Sequence, residues 1–158
     1  MFIKPDYNLK NIYEINFEEL KLQGIKCIMF DLDSTVMRSK SATFEPETIN
    51  WFNTFINDFE VAIISNNPDK DYIENASKIA PCRVIGHAKK PNPDIAKKYL
   101  DEVGIKPEQA VMVGDRPLTD ILVGKRLGSK TILVGSINPN ENLLTKFVRA
   151  LERSTIKG

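Results

Sequence analysis

The chain has 158 residues and a mass of 17.9 kDa, the size of one domain. Hydrophobic residues make up 42% and charged residues 27%, which excludes collagen-like and wholly disordered chains. A net charge of +1 excludes a generic polyanion binder, and no apolar run approaches the roughly 18 residues a membrane span needs. The opening residues lack a charged-then-apolar signal pattern, and Cys27 and Cys82 form neither a CxxC pair nor a metal-spaced set. The expectation is a soluble, cytoplasmic protein with two buried thiols.

Residues 1–23 are weakly patterned and read as an N-terminal arm; residues 24–158 read as a single domain. In the arm, Phe2, Ile3, Tyr7, Leu9, Ile12 and Tyr13 suit either insertion at a membrane interface or packing over the sheet. Gly24 precedes an apolar run, 25–30, that predicts a strand ending at Asp31. Trp51, Phe52 and Phe55 fall at helical spacing and belong to the core. A second strand, 61–64, ends at Ser65, and Asn67-Pro68 reads as an N-cap with proline at the first helical position. A third strand, 83–85, is followed by Asn92-Pro93 in the same role. Ile95, Ala96, Tyr99, Leu100 and Val103 then form a helical stripe that Gly104 ends. Strands over 110–113 and 131–134 complete the series. After Asn138-Pro139, Leu143, Leu144, Phe147, Val148 and Leu151 predict a last helix with Lys146, Arg149 and Arg153 opposite. Short β-branched runs without polar alternation fit strands buried on both faces. The fold class is therefore α/β, a three-layer, doubly wound, mostly parallel sheet.

In such a sheet ligands bind at the carboxyl ends of the strands. Those ends carry Asp31, Asp33, Ser65, Asn66, Asp115 and, further on, Asp120. Packed carboxylates repel, so either one is protonated or a cation is present. This much negative charge favours a hard divalent cation, and Mg²⁺ takes carboxylate oxygens and works with phosphates. Lys90 adds one positive charge, and Ser65 and Asn66 offer neutral donors to phosphate oxygens.

Asp31-x-Asp33-x-Thr35, Ser65 after a strand, Lys90-Pro91 and Gly114-Asp115 with Asp120 resemble, in order, the four motifs of the haloacid dehalogenase (HAD) superfamily. The resemblance implies a phosphatase. Asp31 would be the nucleophile, forming an aspartyl-phosphate, and Asp33 the general acid and then base. Ser65 would bond the phosphoryl group and Lys90 would neutralise charge. Asp31, Asp33 through its backbone carbonyl, and Asp115 would hold Mg²⁺, with Asp120 beside or behind them. Thr35 and Asn66 would line the phosphate. Arg116 would either touch the substrate anion or balance the acidic cluster, and His87 is either a crevice residue or a plain loop histidine.

The intervals 37–64 and 66–89 are each long enough for one helix and one strand only, so no cap domain covers the site. Residues 114–121, Arg126-Leu127-Gly128 and 131–134 resemble the capless class IIIA group of YqeG and mitochondrial-type phosphatidylglycerophosphate phosphatases, as does the N-terminal arm. Ser34 stands where those relatives usually have Asn. The resemblance implies phosphatidylglycerophosphate as substrate, a lipid headgroup met at a membrane surface. Residues 124–158 carry seven basic side chains against two acidic, which suits docking on anionic lipid as well as a solvated helix face. A soluble sugar phosphate, a nucleotide, a phosphoprotein, or a silent binding module of the same fold are the alternatives. Nucleic acid is not expected, because the basic patch has no interleaved aromatics.

Overall fold

The computed structural model describes residues 3–41 and 43–137. Eleven regular elements follow one another there: β1 (Tyr7–Asn8), α1 (Phe17–Leu22), β2 (Cys27–Phe30), α2 (Pro46–Asn53), β3 (Glu60–Ile64), α3 (Lys70–Ile79), β4 (Arg83–Ile85), α4 (Asp94–Val103), β5 (Ala110–Gly114), α5 (Leu122–Leu127) and β6 (Lys130–Leu133). The strands form one sheet in the order β1-β6-β5-β2-β3-β4, with every pairing parallel. The expected α/β class holds. The predicted last helix, with Lys146, Arg149 and Arg153, lies outside the described residues.

The central strand β2 explains the layering. Side chains alternate across a strand, so Ile28 and Phe30 enter one core while Cys27 and Met29 enter the other. On the first face Phe30 meets Phe52 and Trp51 edge-on, at centroid distances of 5.2 and 5.7 Å, and Phe17 stacks on Phe55 at 4.0 Å. On the second face Ala96, Tyr99 and Leu100 of α4 and Val123 and Leu127 of α5 cover Met29, Ala62 and Met112. Both faces are thus sealed, which is why the strand sequences show no polar alternation. Only α2 separates β2 from β3, and only α3 separates β3 from β4. No cap domain exists among the described residues.

Three details depart from the sequence reading. Tyr7 and Asn8 form an extra strand, in register with Ile132 and Leu133 of β6. Two residues are too short for a pattern, and the pairing is fixed from outside the strand. Asp6 accepts hydrogen bonds from the Thr131 N–H at 2.8 Å and hydroxyl at 3.2 Å. The helices α3 and α4 begin later than Asn67-Pro68 and Asn92-Pro93 suggest. In each Asn-Pro-Asp triplet the asparagine Oδ1 accepts the aspartate N–H at 2.9 Å, an Asx turn that carries the chain round before the helix starts. Asp69 is the N-cap of α3, and Pro93 occupies the cap position of α4. Finally, Cys27 is buried as expected, but Cys82 is only half-buried. Burial still pushes both thiols up to about 12.

The described part of the arm rests on the protein itself. Ile12 is 0% exposed within the first core, and Tyr7 and Leu9 pack against that core half-buried. Replacing Ile12 by alanine removes buried apolar volume and is expected to cost about 2–5 kcal/mol in a urea or thermal unfolding experiment. A loss below about 0.5 kcal/mol, the scale of a surface change, would show the arm to be loosely attached.

Candidate active site

Adjacent parallel strands bring two carboxylates together. Phe30 of β2 is in register with Val113 of β5, and the Asp31 N–H continues that ladder by donating to the Val113 carbonyl at 2.9 Å. Asp31 and Asp115 therefore leave the sheet side by side. Thr35, buried one turn later, places its hydroxyl between them, 3.3 Å from Asp31 Oδ2 and 3.2 Å from Asp115 Oδ1.

Asp120 arrives by a wider route. Residues Pro117–Ile121 form a π-helical turn, and the Arg116 N–H donates to Asp120 Oδ2 at 3.2 Å. The turn folds the Asp120 carboxyl group back onto Gly114, so closely that a Cβ at Gly114 would collide with it. That contact gives a physical reason for glycine before Asp115. One oxygen from each of Asp31, Asp115 and Asp120 lies within 4.8 Å of the others.

Lys90 enters the same space from the loop between β4 and α4. Its Nζ donates to Asp31 Oδ1 and to Asp120 Oδ1, both at 2.7 Å, and its side chain is 1% exposed. Burial pulls this ammonium down, but the charges and hydrogen bonds of Asp120 and Asp31 outweigh it, so its pKa lies above the ordinary lysine value. Asp120, also 1% exposed, is pushed up to about 6. Burial is the main cause and the Asp31 charge the next, against the downward pull of Lys90.

The remaining predicted residues divide. Ser65 lies at the end of β3, buried, and its Oγ accepts the Asn67 N–H at 3.1 Å, leaving its hydroxyl hydrogen for another acceptor. The Asn66 side chain, expected on the phosphate, is engaged elsewhere. Its Oδ1 accepts the Lys90 N–H at 2.6 Å and its Nδ2 donates to the Lys90 carbonyl at 2.9 Å. The Asp33 side chain is not part of the three-carboxylate group. Its Oδ1 accepts the Tyr72 hydroxyl at 2.6 Å and the Lys40 N–H at 2.9 Å. The Arg116 and His87 side chains are exposed, and His87 sits in the β4–α4 loop with a left-handed backbone, φ 51°. Ser34 is also left-handed, at φ 71°, a conformation asparagine adopts more readily than serine. Sequence reading missed Tyr72 and the contact at Gly114. The one available signal for Tyr72 was an aromatic in the first turn of the helix that follows Ser65.

The donor set fits a divalent cation. Asp31, Asp115 and Asp120 bring three negative charges to a site where Asp31 is 14% exposed and the others are buried, and Lys90 supplies one positive charge. The balance left over is that of one divalent ion, and oxygen-only ligands favour a hard ion such as Mg²⁺.

The sequence matches the mitochondrial PGP phosphatase family over residues 1–136. It is 33% identical over 153 residues to the probable phosphatase YqeG of Bacillus subtilis, covering 96% of this chain and 88% of that protein. It is 28% identical over 166 residues to phosphatidylglycerophosphate phosphatase 1, chloroplastic/mitochondrial, of Arabidopsis thaliana, and spans 48% of that longer protein. The fold resembles a HAD-family enzyme from Bacteroides thetaiotaomicron, solved with magnesium and inorganic phosphate, with a TM-score of 0.54 at 15% identity over 78% of this chain and all of that one. Motif order, strand-end geometry and the match across nearly the whole sheet agree, and the chain belongs to the mitochondrial PGP phosphatase family, a family of phosphatases with the HAD fold.

Proposed function

We propose that this HAD phosphatase is a Mg²⁺-dependent phosphomonoesterase that works through an aspartyl-phosphate on Asp31 and removes the terminal phosphate of phosphatidylglycerophosphate. The observation that carries the reading is the buried group of Asp31, Asp115 and Asp120 tied together by the Lys90 ammonium. In this reading the domain spans residues 24–158, and residues 1–23 are an arm packed upon it.

Asp31, the backbone carbonyl of Asp33 and Asp115 would hold the ion, with Asp120 beside or behind them, and an ion held there would supply charge neutralisation for the phosphoryl oxygens and Asp31. Asp31 attacks phosphorus while the bond to the leaving oxygen breaks, and Asp33 gives that oxygen its proton. Asp33 then takes a proton from water, which attacks phosphorus, and the bond to Asp31 breaks to release phosphate and restore the carboxylate. Lys90 pairs with Asp31 and screens the incoming phosphate, and the Ser65 hydroxyl donates to a phosphoryl oxygen. Thr35 sets the angle between Asp31 and Asp115, and Arg116 faces the substrate anion from the rim. Asn66 serves the phosphate indirectly, by fixing the backbone of Lys90.

The missing cap supports a bulky substrate, because nothing in the described chain closes over a small one. No helix of the described residues is long and apolar enough to cross a membrane. The reading therefore has the protein meet the lipid headgroup peripherally, from the aqueous side, with Lys146, Arg149 and Arg153 drawn to anionic lipid.

The main test is phosphate release with Mg²⁺ from phosphatidylglycerophosphate in mixed micelles, beside a panel of soluble alkyl and aryl phosphomonoesters. The Asp31→Asn variant is the blank. The lipid should turn over at least about 100-fold faster than the alkyl members of the panel, a gap of about 2.7 kcal/mol in transition-state binding, and Asp31→Asn should abolish all of it. Equal slow rates throughout would sink the lipid assignment and leave the phosphatase. Activity of Asp31→Asn near that of the parent would remove Asp31 as nucleophile.

Asp120 provides a second test. Its folded value of about 6 lies above the ordinary 3.8, so without a divalent ion the folded protein holds a proton that the unfolded chain has lost. The stability this proton contributes is complete below about pH 4 and disappears as pH rises through about 6. A cation that displaces the proton has most to offer above that range. Added Mg²⁺ should therefore raise the Tm more at pH 7.5 than at pH 5. An equal rise at both would take Asp120 out of the metal site.

A further inference from the structure

Asp33 carries its hydrogen bonds on one oxygen only. The Tyr72 hydroxyl and the Lys40 N–H both donate to Oδ1, at 2.6 and 2.9 Å, while Oδ2 has no hydrogen-bond partner among the described residues. A carboxyl group held in this way carries its proton on the free oxygen. A proton on Oδ1 would either forfeit the Lys40 N–H contact or force the phenol to become an acceptor.

The phenol itself is firmly placed. Asn67 Oδ1 accepts the Asp69 N–H at 2.9 Å, and Asp69 Oδ1 accepts the N–H groups of Asp71 and Tyr72 at 3.0 and 3.2 Å. This double turn sets the start of α3, and the Tyr72 ring packs half-buried against the first core. The segment that brings Ser65 to the strand end thus also delivers a donor to Asp33, seven residues later in the chain.

We infer that Tyr72 is a positioning residue for the leaving-group step. It pins Oδ1 of Asp33 so that Oδ2 hands its proton to the leaving oxygen and receives one from the attacking water. The inference rests on the reading of Asp33 as acid and base, and it adds the group that decides which oxygen does the work.

The test compares two substrates of Tyr72→Phe, which keeps the ring and deletes the hydroxyl. An alkyl phosphomonoester, the fastest of the soluble panel, leaves as an alkoxide that needs a proton. The p-nitrophenolate of p-nitrophenyl phosphate departs without one. Because kcat/KM reports the steps up to departure of the leaving group, it isolates the acid role from the later water step.

Tyr72→Phe should lower kcat/KM for the alkyl ester about tenfold, part of the 10²–10⁴ that general acid catalysis supplies, and for p-nitrophenyl phosphate by less than about twofold. Inhibition by inorganic phosphate should stay within about twofold, and Tyr72→Leu should show the same selectivity if Phe proves unsuitable. Equal losses on both substrates, or no loss on the alkyl ester, would overturn the role. Asp33→Asn separates the two readings. If it removes alkyl hydrolysis selectively while Tyr72→Phe changes nothing, the positioning role alone fails. If it spares alkyl hydrolysis, the acid role of Asp33 fails, and the inference about Tyr72 with it.

Discussion

Three carboxylates that meet inside a protein drive one another toward protonation, and the architecture of this site follows from the single ammonium placed among them. Lys90 bonds Asp31 and Asp120 at 2.7 Å each, with its own side chain 1% exposed. Taken alone, a buried pair of this kind is no gain in stability, since desolvation offsets attraction. Its effect is to hold the Asp31 and Asp120 carboxyl groups on one ammonium, the arrangement that the proposed attack by Asp31 on a phosphate would use. Every nearby feature keeps that arrangement: the β2–β5 register, the hydroxyl of Thr35, the bare Gly114 and the wide turn under Asp120.

Lys90 is held by its backbone as much as by its partners. The chain reaching it passes through left-handed residues at His87 and Lys89, φ 51° and 55°, a costly conformation for side-chain-bearing residues. Hydrogen bonds from the His87 N–H to the Asn67 carbonyl, from the Ala88 N–H to the Ser65 carbonyl, from the Lys90 N–H to Asn66 Oδ1 and from Asn66 Nδ2 to the Lys90 carbonyl hold this path against relaxation. The end of β3 and the loop after β4 thus form one unit, so that Ser65 and Lys90 are positioned together.

The sequence made the large pattern readable for a physical reason. Strands buried on both faces need unbroken apolar runs, and strand ends in a parallel sheet gather ligands, so Asp31, Asp115 and Ser65 could be assigned to one edge from the sequence alone. What stayed hidden depends on partners distant in the chain. Tyr7 and Asn8 form a strand through pairing with β6 and the contact of Asp6 with Thr131, 125 residues away. The contacts of the Asn66 amide with both backbone groups of Lys90 depend on a loop 24 residues away. Tyr72 looks like an ordinary helix aromatic until Asp33 lies beneath its hydroxyl. The Asn-Pro-Asp triplets misled for a local reason, because asparagine can close a turn upon its neighbour as readily as it caps a helix.

The division between Asp33 and the other carboxylates bears on how a site with no cap among the described residues would work. Asp31, Asp115 and Asp120 draw on the rigid sheet and a buried lysine, so their geometry exists before any ligand arrives. Asp33 sits on the following loop, half-buried, and depends on Tyr72 and Lys40 for its orientation. Electrostatic help is worth more when water is excluded. No cap covers the site among the described residues, so in the proposed mechanism the leaving group itself would cover Asp33 while the proton moves. A leaving group attached to a surface, as the proposed lipid is, does so simply by docking, whereas a small soluble ester leaves the same carboxyl group in water.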